Sequence, residues 1–376
     1  MLARLVGIQL TTAMVILGIP PLTAALRDEF GLSRAGAGLL MTAAFLGVVA
    51  ASWSGGRIVN AVGVRRSMIG ASLGLGGSFA LTGRASSYVL VLLALFVVGV
   101  FYSPVTPATN AGVVAWASPR FRTRAMAIKQ MGVTAGAAIS AALIPFLITR
   151  YGWRSATTIV GTGVAIVGVA SAMKFRRPAG VRTTGRAPRL ENRPMVVVLG
   201  IATLLLLFVQ HSVSTHFILA LQDEGMSLIA AGAALSFLQW SATGARYGWA
   251  WVADRFLGGN ASLALFILCC GSAAVLTAMT VFDGTRWPAL AAFLLGATTQ
   301  AGNGLIQVVL SDAGGPAPAS STGLGMTIGF SGTVIGPPLF GLLADAWTYR
   351  WSWFVLSAIA LTAGAMTWRV ASHVDH

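Results

Sequence analysis

The feature that most constrains this chain is its succession of long apolar stretches. A helix that crosses a bilayer needs about 20 predominantly apolar residues. Twelve segments qualify, at roughly 5–25, 36–55, 67–83, 88–113, 125–148, 153–173, 195–220, 227–249, 260–281, 287–310, 322–344 and 351–370. Hydrocarbon offers backbone N–H and C=O groups no partners, so each segment must close its own hydrogen bonds, as a helix does. The expected fold is therefore an all-α integral membrane protein with twelve transmembrane helices. Only 9% of the residues are charged, against about a quarter in soluble domains, and 56% are hydrophobic. The 45 glycines suit helices that pack closely in lipid.

Most linkers are short. The exception is KFRRPAGVRTTGRAPRLENRP (174–194), a basic loop that separates residues 1–173 from residues 195–376, six spans each. The net charge of +15 lies between the apolar segments, so it speaks for topology and not for a nucleic-acid partner. With the N-terminus inside, sixteen Lys and Arg residues fall on the inner side and seven on the outer. Both termini are then cytoplasmic, in a multi-pass protein of a bacterial-type inner membrane. Nine tryptophans lie near span ends, where an aromatic belt belongs. The N-terminal run resembles a secretory signal, but Gln9, Thr11 and Thr12 within it suit a first span that lines a cavity. Cys269 and Cys270 are adjacent in an apolar segment, which suits packing and excludes a disulfide framework or a metal site.

The two halves carry traces of a repeat. At a constant offset of 198, Tyr151 meets Tyr349 and Trp153 meets Trp351, in the equivalent spans 5–6 and 11–12. Parallel six-span halves are a transporter architecture. Between spans 8 and 9, GWAWVADRFLGG carries Asp254, Arg255 and then Gly258. Between spans 2 and 3, GGRIVNAVGVRR keeps Gly56, Gly63, Arg65 and Arg66, with Asn60 and Ala61 where an acid and an arginine would complete the pattern.

With these motifs the chain resembles the major facilitator superfamily along its whole length. AMAIKQMG in span 5, GWR after it and GPPLFGLLAD in span 11 resemble the branch that contains cyanate and nitroimidazole permeases. The resemblance implies two pseudo-symmetric six-helix halves and a central cavity lined by spans 1, 4, 7 and 10. It also implies loops 2–3 and 8–9 as cytoplasmic latches, and a monomer. The family's antiporter signature in span 5 is absent.

Polar side chains inside a bilayer are costly and face a cavity or a neighbouring helix. In span 10, Gln300, Asn303 and Gln307 recur at i, i+3 and i+7. In span 4, Tyr102, Thr106 and Thr109 repeat that pattern with Asn110 beside it, and Pro104 and Pro107 interrupt the helix. Span 7 has Gln210 with Ser214 and His211 with Thr215, each four apart; span 1 has Gln9 with Thr12. The stripes fall on the four cavity spans, or else glue helices together. Gln239 and Trp240 in span 8 are further candidates for substrate contact. Gly132-x-x-x-Gly136, Gly325-x-x-x-Gly329 and Gly332-x-x-x-Gly336 allow close helix approach, and Gly336-Pro337-Pro338 is a candidate bend in span 11.

Lys129, with Gln130 beside it, stands about five residues into span 5. Its stem can snorkel to the cytoplasmic surface, or its ammonium can anchor an anion. Every acidic residue falls in a loop or at a span end, so no carboxylate inside a span is placed to neutralise it. Arg246 in span 8 is either a structural pair or a second anion contact. With no acidic relay, His211 is the candidate for a coupling proton, and a counter-anion is the other option. The function expected is transport of a small organic or inorganic anion by alternating access, with efflux of amphipathic drugs or metabolites as the alternative. The partners are a small-molecule substrate and the lipid bilayer. No nucleophile–base pair, phosphate loop or metal-ligand cluster points to an enzyme, and no cofactor is implied.

Overall fold

The computed structural model describes residues 2–116, 122–173, 175, 190, 192–281 and 287–374. Of the linker 174–194, only Phe175, Leu190 and 192–194 are among them. Arg120, Asp375 and His376 also lie outside the described residues.

All regular structure among the described residues is helical. The elements are α1 (Leu2–Ile16), α2 (Ile19–Phe30), α3 (Arg34–Val62), α4 (Val64–Thr82), α5 (Tyr88–Tyr102), α6 (Val105–Trp116), α7 (Arg122–Met173), α8 (Arg193–Asp223), α9 (Leu228–Phe256), α10 (Ala261–Val281), α11 (Pro288–Thr298), α12 (Asn303–Ala313), α13 (Pro318–Ala346) and α14 (Tyr349–Val374). Ten stretches are long and apolar enough to cross a membrane. One of them, Ile128–Met173, has 46 residues, or about 69 Å at 1.5 Å per residue, enough for two crossings of a 30 Å core. The division falls at Gly152, whose φ of 78° and ψ of 160° are not helical. With the 19-residue α4, which is not among those ten, the total is the expected twelve.

Three spans are pairs of helices, and each break has a local cause. Gly18 precedes Pro20 and Pro21, which open α2 without donating N–H groups. Pro104 separates α5 from α6, as its sequence position implies. Between α11 and α12 the hydroxyls of Thr298 and Thr299 donate to Leu294 O at 2.8 Å and Leu295 O at 2.6 Å. Such back-bonding bends helices, and Gly302 and Gly304 follow.

The chain forms two compact units. Unit 1 contains Met1–Leu32, Leu39–Thr183 and Met226–Ser236; unit 2 contains Ser33–Gly38, Thr184–Gly225 and Phe237–His376. In unit 1, α1 and α4 lie against α7, and α5 lies against α4. Gly132 faces α1 so closely that an added Cβ would stand 2.7 Å from Val6 O, and Gly136 meets Leu10 O the same way. Gly47 and Gly99 bring α3 and α5 together, each with the place of its missing Cβ taken by a carbonyl oxygen of the other helix, Phe96 O and Ala44 O. In unit 2, α8 runs along α13 and α10 along α14. Gly329, Gly332 and Gly336 seat against Thr203, Leu204 and Phe208 of α8. Lipid provides no hydrophobic drive between helices, so such backbone approach is what holds them.

The starts of α3 and α9 repeat each other at an offset of 194. Gly31 (φ 61°) and Gly225 (φ 89°) turn the chain. Ser33 Oγ accepts from Gly36 N, and Ser227 Oγ accepts from Ala230 N. In unit 2, Gly38 abuts Pro337 and Pro338; in unit 1, Gly232 abuts Ala141 and Pro145. Sequence comparison at offset 198 misses this repeat.

Candidate substrate site

In unit 1 a polar chain links α1, α6 and α7. Lys129 of α7 is only 1% exposed. Its Nζ donates to Asn110 Oδ1 at 2.6 Å and to Thr109 Oγ1 at 3.4 Å, both on α6. The Thr109 hydroxyl in turn donates to Gln9 Oε1 of α1 at 3.1 Å, or to Val105 O at 2.8 Å. Gln9 and Thr109 are buried, Asn110 half-buried. The ammonium is thus turned into the bundle and not out to a surface. Its partners are neutral, and no ion pair to Lys129 is present among the described residues. An ammonium is donor-only, so the oxygen of the Asn110 amide must face it. A buried charge held by dipoles alone is costly, and an arriving anion would relieve that cost.

In unit 2 the turn between α11 and α12 is the meeting point. Gln300 lies in that turn, and its Nε2 donates to Gln210 O at 2.8 Å and Ser214 Oγ at 2.8 Å on α8. Arg246 of α9 donates through Nη2 to Gln300 O at 3.2 Å. No carboxylate pairs with Arg246 among the described residues, and its buried Nε has no partner there. His211 Nδ1 lies 3.0 Å from Leu207 O and 3.1 Å from Thr333 Oγ1 of α13. His216 Nε2 donates to Pro337 O at 2.8 Å.

The remaining candidates stand outside both networks. Tyr102 ends α5 and Thr106 is exposed on α6, so the break at Pro104 divides the stripe expected for span 4. Likewise Gln300 belongs to a turn, while half-buried Asn303 and Gln307 sit four apart on α12. Gln130 is half-buried beside Lys129, and Gln239 is buried on α9. Of the residues expected to form the latch, Gly56 lies within α3, Gly63 (φ 83°) joins α3 to α4, and half-buried Arg65 and exposed Arg66 follow. Asp254 and Arg255 are exposed near the end of α9. Gly336 packs on Phe208 and Ser212.

One cluster escapes sequence reading. The Arg34 side chain donates to Asp223 Oδ2 at 2.8 Å and to Ala344 O at 3.0 Å, and lies over the Tyr349 ring at 4.6 Å. Asp345 accepts from the backbone N–H groups of Arg34 and Ala35 at 3.1 and 3.0 Å, capping α3. Loop charges far apart in sequence give no signal for such a pairing.

Twelve spans, a helical repeat and buried polar networks describe a membrane carrier. The Major Facilitator Superfamily model matches residues 5–333, and the chain belongs to that family: it is a multi-pass membrane transporter and not an enzyme. It is 24% identical over 366 residues to an uncharacterised MFS-type transporter of Mycobacterium tuberculosis, covering 95% of this chain and 82% of the relative. It is 26% identical over 136 residues, 36% of this chain and 32% of the relative, to a probable sulfoacetate transporter of Cupriavidus necator. A bacterial homologue of the human lysosomal transporter Spinster, inward-facing and occupied, superposes with a TM-score of 0.83 at 15% identity, over 99% of this chain and 96% of that one. A D-xylose–proton symporter gives 0.78 at 14% identity, over 98% and 96%. At such identities these structures share the fold alone.

Proposed function

We propose that the chain carries a small organic or inorganic anion across the membrane by alternating access, with Lys129 as the anion's charge partner. The observation that carries this reading is the burial of the Lys129 ammonium among groups that are all neutral among the described residues. An ion placed so draws a substrate of opposite charge. Arg246, also without a carboxylate among the described residues, is the second cationic contact. Gln9, Tyr102, Thr106, Asn110, Gln130, Gln210, His211, Gln239, Gln300, Asn303 and Gln307 are the hydrogen-bonding complement. The permease-like motifs of spans 5 and 11 fit a small anion. So does the partial likeness to a probable sulfoacetate transporter, since sulfoacetate is such an anion.

In this reading residues 1–173 and 195–376 move as two bodies joined by the 174–194 linker. Gly56, Gly63, Arg65, Arg66, Asp254 and Arg255 serve as latch, and Gly336 with Pro337 as a bend. Either a proton carried by His211 or a counter-anion couples the cycle, and a monomer with both termini in the cytoplasm carries it out.

The test is thermal stability and proteoliposome uptake of acetate, thiocyanate and sulfoacetate, set beside neutral isosteres. A ligand that binds the folded state raises its apparent stability by mass action. Lys129→Ala is expected to remove both anion stabilisation and uptake while still folding. Lys129→Arg keeps part of the uptake, because charge persists while geometry changes. If neutral amphiphiles stabilise wild type and Lys129→Ala alike, and anions neither, the efflux reading replaces this one.

A further inference from the structure

We infer that Asn110, counted above among the hydrogen-bonding groups, acts instead as a displaceable cap on Lys129 which sets the site's selectivity for anions, and is not itself a substrate ligand. The inference rests on the anion reading above and deepens it. Lys129 is 1% exposed, so nothing reaches its ammonium without something moving. Of its two partners among the described residues, Thr109 is fully buried and tied to α1 through Gln9. Asn110 is half-buried and makes the shorter contact, 2.6 Å. It is therefore both the stronger of the two contacts and the one on the accessible side.

The chemistry of the cap follows from its charge. An amide oxygen satisfies one N–H of the ammonium without neutralising it. It keeps the empty site from leaving a bare buried cation, which would be severely costly. An anion brings a full charge, and in a medium of low dielectric that attraction exceeds what a dipole offers. A neutral solute has no such advantage over the amide and does not displace it. An aspartate at the same place would be a different device, since a built-in carboxylate 2.6 Å from Nζ would hold the ammonium permanently. The amide is thus strong enough to hold Lys129 in place and weak enough to yield.

The experiment uses the full-length protein in detergent and in proteoliposomes, with acetate, thiocyanate and sulfoacetate as probes. Asn110→Asp is expected to raise the melting temperature without added anion, to weaken binding of the responding probe at least tenfold, and to abolish its uptake. Asn110→Ala is expected to bind the same probe as tightly as wild type or up to tenfold more tightly, and to discriminate less against neutral isosteres. If Asn110→Ala instead weakens binding tenfold or more, Asn110 is a direct ligand and the cap is overturned. Normal anion transport by a folded Asn110→Asp protein overturns it too. If no probe stabilises or enters with wild type, the anion reading itself fails and takes the cap with it. That result is distinct, because it shows in wild type before any variant is made.

Discussion

Gln300 stands where one helix stops and the next begins, and its amide crosses to α8 with both N–H groups in use. Interhelical hydrogen bonds in membranes average about 0.6 kcal/mol and reach about 1.7 kcal/mol. Gln300→Leu is therefore expected to lower stability by about 1 kcal/mol. Gln307→Leu, whose side chain is in neither network, should be close to neutral; thermal denaturation in one detergent compares the two. Equal losses would mean that Gln300 is held by packing alone. The types of residue at the candidate site were legible from sequence, because a polar side chain within an apolar span is conspicuous. Their partners were not. Helical periodicity orders residues on one helix but says nothing of which helix it faces. So Lys129 and Asn110, 19 positions apart, were singled out separately, while Thr333, which meets His211, was not singled out at all.

At the scale of elements, the spans were legible because length and hydropathy fix them, and Pro104 announced the break in span 4. The break at Gly302 was hidden, since threonines in a helix signal nothing until their hydroxyls turn back on the backbone. The repeat at the starts of α3 and α9 was hidden by brevity: a turning glycine, a capping serine, an alanine and a contact glycine are four matches in eight positions. Small residues were legible as contact points but not as pairs. Gly47 and Gly99 show what pairing adds, because each yields its side-chain volume to the other helix's backbone. Gly47→Val and Gly99→Val are each expected to cost about 1–3 kcal/mol through overpacking. Since both force the same crossing apart, the double variant should lose less than the sum. Glycine-to-valine changes at Gly77, where nothing lies within 4 Å, make the control for helix propensity. Melting temperatures of these four variants and of wild type read all of this.

For the whole molecule, the charge bias makes a directional statement: sixteen basic residues on one side and seven on the other. A phosphatase active only outside the cytoplasm is expected to be silent when fused after residue 190 and active when fused after residue 284. The reverse pattern would invert the topology. The α3 cap adds a time dimension to this architecture. Arg34 precedes Asp345 by 311 residues. At about 5–20 residues per second, the ribosome needs about 15–60 seconds to deliver that aspartate. Until then the first turn of α3 holds the N–H groups of Arg34 and Ala35 without their carboxylate cap, although Asp223, the partner of the Arg34 guanidinium, has already been made. These groups are exposed, and water takes the place of the carboxylate through that wait. A stalled or truncated product would carry the unfinished turn as a mark by which quality control could tell it from a completed carrier.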